Sequence, residues 1–329
     1  MRSRVLGASV ATVLALSACG GNLDDSASDA GSTFPERAVR VLVGQDAGGS
    51  TDLIARALAE PASADLKKPV TVLNKAGANG GVAAKELAGA EADGYTLMVF
   101  NGSLAYITPL AVAADEAVDI NGFEVVTGVS QDDYVLVANP KTGFKTVKDI
   151  VDAKRPITFA TTGVGTGSQL CQELLFAQAS VDATAVPFNG GAPALTAALG
   201  GQVDVAAVQL GEGQSQIKAG KVTPIVTFAA ERPAYLPDTP TAQESGYTAL
   251  VQQSRAIVAP KGAPRETLDR LRAAFQKAFA EQKYKDFNAQ RSLTPNEVDG
   301  ATLLRQWNAS RDTYRGLIEK YKIDLSGKS

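Results

Sequence analysis

Three glycine-rich turns, interleaved with hydroxyl and amide side chains, are the segments of this sequence best suited to bind a small polar molecule. They lie at residues 43–52, 163–168 and 189–193. Each follows a short apolar run typical of a β-strand and leads into residues with helical spacing. A helix that begins directly after such a turn leaves backbone N–H groups free to bind an anion or a polar ligand. Together, the three turns indicate a protein that binds a small molecule.

The hydroxyl and amide groups of these turns have an alternative role, because each could cap a helix, which is the usual function of such residues. Ligand contact is favoured for the three turns taken together, since ligands of α/β proteins bind beyond the carboxyl ends of the strands. Asn101 and Ser103 follow another apolar run and occupy the same position. We therefore expect them to lie beside the three turns.

The composition excludes several classes of enzyme. The sequence contains 0 histidines, which rules out a Ser-His-Asp triad, a zinc–histidine site and a histidine general base. The glycines of residues 163–168 have neither the spacing of a dinucleotide-binding loop nor the Lys-Ser/Thr pair of a P-loop. A serine–lysine or carboxylate-pair hydrolase stays open, although no local spacing supports it. We therefore predict no catalytic residues, no metal site and no cofactor.

The first residues predict export. Two arginines precede an apolar run at residues 5–16, and the small residues that follow end in Cys19, as in a bacterial lipobox. This order predicts a signal peptide at residues 1–18, a lipid on Cys19 and a flexible tether at residues 19–33. The protein would then be anchored to the cell membrane and face the periplasm or the cell exterior. An ordinary secretory peptide and an apolar anchor are the alternatives.

Charge and cysteine content narrow the choice of partners. The formal net charge of −3 gives no basic surface, so we predict no nucleic-acid partner. If Cys19 carries a lipid, Cys171 has no second cysteine with which to form an intramolecular disulfide. Cys171 shares helical spacing with Leu174 and Leu175 and is expected to be a small buried apolar residue.

Strands and helices alternate along the chain after the tether, which predicts an α/β fold with largely parallel sheets. The length suffices for two lobes. We expect lobe 1 to contain residues 34–132 and 256–329, because two amphipathic helices near the C-terminus should return to it. Lobe 2 would contain residues 133–255, and crossovers near 130–137 and 250–258 would form a hinge.

Several long motifs occur in a characteristic order: Phe-Pro-Glu-Arg at 34–37, Ala-Gly-Gly-Ser-Thr-Asp at 47–52, Asp-Gly-Tyr-Thr-Leu at 93–97 and Val-Pro-Phe-Asn-Gly-Gly-Ala-Pro at 186–193. In these motifs the sequence resembles the solute receptors of the tripartite tricarboxylate transporter group, also called the Bug or TctC family. The resemblance implies a two-lobed periplasmic-binding-protein fold of type II. Each lobe would be a mostly parallel sheet flanked by helices, with the ligand in the cleft between them.

The resemblance further implies a monomeric receptor that captures a small polar solute, above all a carboxylate, and delivers it to a membrane permease of the tripartite tricarboxylate type. Receptors of this family recognise ligands through loop amides, hydroxyls and ordered water, largely without an arginine clamp. Carried onto this sequence, the ligand-binding residues would be Asp46, Ala47, Gly48, Gly49, Ser50, Asp52, Asn101, Ser103, Thr161, Thr162, Gly165, Thr166, Ser168, Asn189, Gly190, Gly191, Ala192 and Gln209.

Two other functions stay open. The same cleft could report its ligand to a membrane signalling protein instead of a permease, and the sequence does not separate these roles. An extracytoplasmic hydrolase is a distant third.

One position departs from the family pattern in a way that bears on the ligand. Gly44 and Gln45 replace the usual proline and aromatic residue, and Asp46 follows them. A carboxylate about 4 Å from an anionic ligand would repel it by about 4 kcal/mol at an effective dielectric constant of about 20. Unless Asp46 points outward as a solvated turn residue, the solute would be zwitterionic, amine-bearing or neutral.

Overall fold

The computed structural model describes residues 34–326. Cys19, the predicted signal peptide and the predicted tether lie outside the described residues. Within residues 34–326 the chain forms nine strands: β1 (Val39–Val43), β2 (Val70–Asn74), β3 (Thr96–Asn101), β4 (Phe123–Ala138), β5 (Ile157–Thr161), β6 (Ala183–Pro187), β7 (Val205–Gln209), β8 (Thr223–Thr227) and β9 (Gln252–Pro260).

The helices connect these strands and cover the sheet. Those of the described residues are α1 (Ser50–Leu66), α2 (Gly81–Ala88), α3 (Ser103–Tyr106), α4 (Val147–Asp152), α5 (Gly167–Ala179), α6 (Gly191–Gly200), α7 (Leu210–Lys218), α8 (Arg265–Ala280), α9 (Gln282–Gln290) and α10 (Gly300–Tyr321). In the same part of the chain, no helix combines the length and apolar character needed to cross a membrane.

The strands are ordered β2-β1-β3-β9-β4-β7-β5-β6, and β8 also pairs with β4. β1 is parallel to β2 and β3, and β5 is parallel to β6 and β7. β9 and β4 run antiparallel to each of their neighbours. The predicted α/β class is confirmed, with parallel strands on both sides of an antiparallel centre.

β1 shows why the outer strands read as continuous apolar runs. Val41 and Val43 pack in one core cluster with residues of α1 and α8, whereas Leu42 packs in another with residues of α2. A parallel strand covered by helices on both faces needs apolar side chains at successive positions. The three side chains are almost fully buried, so β1 holds the turn after it in a fixed place.

β4 and β9 connect the two halves of the sheet. The first part of β4 pairs with β9, from Phe123 opposite Pro260 to Asp133 opposite Gln252. The last part of β4 pairs with β7 and β8. The predicted crossovers near 130–137 and 250–258 fall on these two strands, while the lobe boundaries themselves stay a prediction.

The C-terminal helices fill the core, as their apolar spacing predicts. Leu271, Phe275 and Phe279 of α8 are buried beside α1. Trp307 of α10 stacks on Phe100 of β3 with 5.8 Å between ring centroids. Its indole N–H donates a hydrogen bond of 2.8 Å to the Ser254 hydroxyl on β9. These helices therefore support the strands whose ends carry the candidate site.

Candidate functional site

The turns after β1 and β6 contact each other, and the turn after β5 contacts residues of the first half of the sheet. The backbone N–H of Asp46 donates to the carbonyl of Asn189 at 3.1 Å, which joins the first turn to the third. The Asn79 side chain and the Thr108 hydroxyl donate to the carbonyl of Gly165 at 3.4 and 3.0 Å. The first and third turns are thus joined directly, and the second turn is bonded to residues of the first half of the sheet.

Two of the turn glycines have a conformation and surroundings that a larger residue would disturb. Gly165 has φ +68°, and a Cβ there would lie 2.8 Å from the Cα of Thr108. Gly190 has φ +122°, and its Cβ would lie 3.3 Å from the Cβ of Gln45. Since positive φ is accessible to glycine at little cost, glycine permits the close approach of these turns.

A cavity lies where the turns meet the shared strands. Its enclosed volume is about 20 Å³, which is room for about one water molecule, and it reaches about 350 Å³ when the open side and the gaps between the wall atoms are included. We call it the central cavity. Its walls come from both halves of the sheet and are almost entirely polar: Gln45, Gly49, Ser50, Thr51, Asn79, Asn101, Tyr134, Thr162, Gly190, Gly191, Gln209, Glu212, Gln253 and Arg255.

Seven of the sequence-predicted residues line the central cavity; they come from the first and third turns and from the ends of β3, β5 and β7, but none comes from residues 163–168. They are Gly49, Ser50, Asn101, Thr162, Gly190, Gly191 and Gln209. The other predicted residues lie around the cavity but do not form its wall: Asp46, Ala47, Gly48, Asp52, Ser103, Thr161, Gly165, Thr166, Ser168, Asn189 and Ala192. Ligand contact by any of these residues stays a prediction.

Several residues behind the wall hold the turns in place. The Ser168 hydroxyl donates to the carbonyl of Ala207 at 2.7 Å and accepts from the Thr162 backbone N–H at 3.2 Å. Thr166 caps α5 by accepting from the Gln169 backbone N–H. Both hydroxyls are fully engaged with backbone groups, so they position the wall residue Thr162 and the second turn.

Asp52 plays the same part in the first turn. Its carboxylate accepts from the Gly48 backbone N–H at 3.0 Å, from Asn74 at 3.0 Å and from Arg56 at 2.9 Å. Burial by itself raises the pKa of Asp52, but these hydrogen bonds and the Arg56 charge outweigh it and hold the pKa below its usual value. Asp52 therefore stays ionised and holds the first turn in place through its hydrogen bonds.

Asp46 is exposed and does not line the central cavity. Of the two orientations that the sequence left open, the structure shows the solvated turn residue. Its backbone, not its carboxylate, makes the contact to the third turn. Any selection against anionic solutes therefore has to come from another side chain.

Seven wall residues were absent from the sequence-based prediction: Gln45, Thr51, Asn79, Tyr134, Glu212, Gln253 and Arg255. A signal existed for Arg255, which interrupts an apolar strand pattern between Ser254 and Ala256. A charged residue in the interior of a strand is seldom buried without a partner. No local pattern marks the partner, which lies 123 positions away in Asp132.

Arg255 is held by four protein groups. Its guanidinium forms an ion pair with Asp132 and donates to Gln209, to the Ser130 hydroxyl at 3.2 Å and to the Thr51 hydroxyl at 3.0 Å. These bonds connect β9 with β4, β7 and α1. The positive charge of Arg255 in the cavity wall is therefore compensated by the protein.

Two neutral side chains complete this part of the wall. The Tyr134 hydroxyl donates to Gln253 Oε1 at 2.8 Å. Burial raises the pKa of Tyr134 well above its usual value, so the phenol keeps its proton. The Gln253 amide in turn donates to the carbonyl of Ser254 at 3.0 Å.

Glu212 is the second charged residue of the cavity wall. It lies in the first turn of α7, and its Oε1 accepts a hydrogen bond of 2.7 Å from the Ser50 backbone N–H at the start of α1. Gly191, at the start of α6, leaves the room that this carboxylate occupies, since a Cβ there would lie 1.8 Å from Oε2. The Glu212 carboxylate thus sits at the N-termini of two helices, where negative charge is favoured.

Comparison with known proteins settles the family. Residues 54–322 match the model of the tripartite tricarboxylate transporter family receptor, TctC. The chain belongs to this family of solute receptors. It is 29% identical over 273 residues to the protein BugT of Bordetella pertussis, covering 80% of this chain and 82% of that protein. Membership places it among extracytoplasmic solute-binding proteins.

Solved structures of similar proteins support the same family assignment. The periplasmic binding protein BugD is 29% identical, with a TM-score of 0.82 over 88% of this chain and 99% of that chain. MatC from Rhodopseudomonas palustris, solved with bound malate, is 28% identical, with a TM-score of 0.77 over 87% of this chain and 100% of that one. The predicted two-lobed fold of the periplasmic binding proteins is therefore confirmed.

Proposed function

We propose that this receptor captures a small carboxylic acid in the central cavity and delivers it to a membrane permease of the tripartite tricarboxylate type. The observation that carries the proposal is the wall of the cavity, where polar groups from both halves of the sheet converge within about 350 Å³. MatC, a relative with the same fold, holds malate.

Capture would follow from closure of the two lobes on the solute. Direct hydrogen bonds join the two predicted lobes, from Ser50 to Glu212 and from Asp46 to Asn189. A solute that contacts both sides would favour this closed arrangement by its differential affinity for it. An ill-fitting solute would leave buried polar groups unpaired, which costs about 1–3 kcal/mol for each group.

The proposal includes binding without chemical conversion. It also includes a single-chain receptor that carries a lipid on Cys19 and delivers its solute to permease subunits. The lipid rests on the sequence pattern that ends at Cys19. The wild-type protein should incorporate a labelled fatty acid, and Cys19→Ala should not. Absence of the label from the wild-type protein would contradict the lipid anchor.

The decisive experiment is thermal unfolding of the purified protein with malate, succinate, glutarate and citrate, and with the amino-substituted acids considered below. A solute at 100 times its dissociation constant stabilises the folded state by about 2.7 kcal/mol, which raises the melting temperature measurably. Mass spectrometry of the recovered solute checks that it is unchanged. Absence of any shift, or recovery of a converted product, would contradict the proposed function.

A further inference from the structure

Glu212 is the unpaired charge of the central cavity. Glu212 and Arg255 are the charged residues of its wall, and Arg255 is already paired with Asp132. Glu212 forms no ion pair within the part of the chain that the structure describes. The cavity therefore carries one negative charge in excess, on a carboxylate that comes from the protein itself.

The Glu212 carboxylate also occupies a position that an anionic solute would need. Its Oε1 accepts a hydrogen bond from the Ser50 backbone N–H at the start of α1, and its Oε2 accepts one of 3.4 Å from the Gln209 backbone N–H. A solute carboxylate placed at the same helix ends would have to displace Glu212 or lie beside a like charge. A cationic group on the solute would instead be attracted by the Glu212 carboxylate.

Gln45 gives independent evidence that a hydrogen-bond donor is missing from the cavity. Its side chain is part of the wall and only 7% exposed. Nε2 donates to the carbonyl of Asn79 at 3.1 Å, which fixes the orientation of the amide. Oε1 is buried and accepts no hydrogen bond from any described residue. The missing partner of this atom is a donor, and an unpaired buried acceptor is uncommon in native proteins.

The consecutive glycines Gly190 and Gly191 each lie against one of these two side chains. Gly190 lies against Cβ and Cγ of Gln45, and Gly191 lies against the Glu212 carboxylate. The two side chains, each of which carries an acceptor, therefore border the same short stretch of the third turn. A protonated amine supplies several N–H donors and a positive charge, which matches this pair of acceptors.

The part of the cavity wall formed by Arg255 can still bind a carboxylate of the solute. A guanidinium has five N–H donors, and the four partners of Arg255 use four of them. The remaining N–H belongs to Nη2, beside Gln209. Asn101 and Thr162 also belong to this wall. The wall of the cavity thus presents both acceptors and donors.

We propose that the receptor selects an amino-substituted acid, and that Glu212 and Gln45 form the subsite for its protonated amine. This inference rests on the proposed function as a receptor for small acids. It names Glu212 as the residue that sets the specificity of this chain, in place of the exposed Asp46.

The test compares pairs of solutes that differ by an amine: propionate with 3-aminopropionate, butyrate with 4-aminobutyrate, succinate with aspartate and glutarate with glutamate. Affinities of the purified protein are measured by calorimetric titration. The amine-bearing member of at least one pair should bind ten times more tightly than its partner. The variant Glu212→Gln keeps an oxygen for the Ser50 N–H but removes the charge, so it should lose that preference.

Two further variants make the test specific. Glu319→Gln removes a carboxylate from the exposed face of α10, far along the chain from the cavity, and should keep the preference. Gln45→Met removes the buried acceptor at similar length and should weaken binding of the amine-bearing solute at least threefold. If Glu212→Gln fails to fold, as judged by circular dichroism, Gln45→Met alone decides the matter.

Each remaining result counts against the inference. If the plain acids bind as tightly as their amine-bearing partners, the amine subsite is wrong while the receptor function stands. If the preference survives in Glu212→Gln, the cavity selects amines by another group and Glu212 is not the subsite. If no member of either set binds, the inference and the proposed function fail together.

Discussion

Arg255 and Asp132 form an ion pair whose two side chains are each only 1% exposed. They lie on β9 and β4, the strands that connect the two halves of the sheet, and Arg255 is directly opposite Ser130 in the strand pairing. Asp132 also accepts from the Ser130 hydroxyl at 2.7 Å and from the Thr294 backbone N–H at 2.8 Å. The pair is therefore a fixed part of the frame that carries the central cavity.

Replacing Asp132 with asparagine should reduce the free energy of unfolding by about 3–5 kcal/mol. The change leaves a buried guanidinium without its counter-charge, and an uncompensated buried charge carries a cost of that size. Urea unfolding at pH 7 measures it. Glu60→Gln is the matched control, because Glu60 pairs with Lys283 at the surface, with both side chains more than 70% exposed. That variant should change the stability by less than about 1 kcal/mol. Equal effects of the two variants would contradict the structural role of Asp132.

Gly191→Ala should weaken solute binding at least tenfold and should also lower the stability. The added Cβ would lie 1.8 Å from Glu212 Oε2, so the carboxylate has to leave its place beside Ser50. The backbone of Gly191 is helical and accepts alanine, but the buried Ser50 N–H loses its partner, so the free energy of unfolding should fall by about 1–3 kcal/mol. Calorimetric titration and urea unfolding provide the two measurements.

Gly200→Ala, in the last turn of the same helix, is the control. The nearest atom to a Cβ at this position is 4.0 Å away. The substitution should stabilise the protein by about 0.5–1 kcal/mol, since alanine loses less conformational entropy than glycine, and binding should not change. Normal binding by Gly191→Ala would show that the position of Glu212 is irrelevant to the solute.

Much of the fold and part of the site could be predicted from the sequence. Alternating strands and helices predicted the α/β class, and the glycine turns located Gly49, Ser50, Gly190 and Gly191 in the cavity wall. These features are local, because a strand, a glycine turn and a helix start are encoded within a few consecutive residues.

The charged part of the site could not be predicted from local patterns. Glu212 looks like an ordinary acidic residue in the first turn of a helix, and only the fold brings it to Ser50, 162 positions away. Arg255 and Asp132 are separated by 123 positions. The carboxylate that the sequence suggested for the cavity, Asp46, is adjacent to the turn but points to solvent. Side-chain direction at a turn depends on contacts that sequence spacing does not specify.

Ser168→Ala should destabilise the protein by about 1–3 kcal/mol, because it leaves the Ala207 carbonyl and the Thr162 N–H without their partner in a fully buried position. Solute binding should also weaken, since Thr162 belongs to the cavity wall. Thr196→Ala removes a hydroxyl that bonds only to the Ala192 carbonyl of its own helix, and should change stability by less than about 0.5 kcal/mol. Equal stability of Ser168→Ala and wild type would contradict this positioning role.

Glu173 makes the stability depend on pH. Burial on α5, together with the nearby carboxylate of Asp324, raises the pKa of Glu173 from 4.5 to about 7. Below pH 4.5 the group is protonated in both the folded and the unfolded chain, and it has no effect. Between pH 4.5 and 7 only the folded protein holds the proton, so the free energy of unfolding falls as the pH rises. Above pH 7 the folded protein bears the full cost of a buried carboxylate.

Glu173→Gln should therefore be more stable than wild type by about 1–3 kcal/mol at pH 8, and equally stable at pH 4.5. Urea unfolding of both proteins at the two pH values tests this. Glu319→Gln, at an exposed position of α10, should match wild type at both. A stability difference of the same size at pH 4.5 and pH 8 would show that the substitution acts through packing, because only ionisation of Glu173 separates the two conditions.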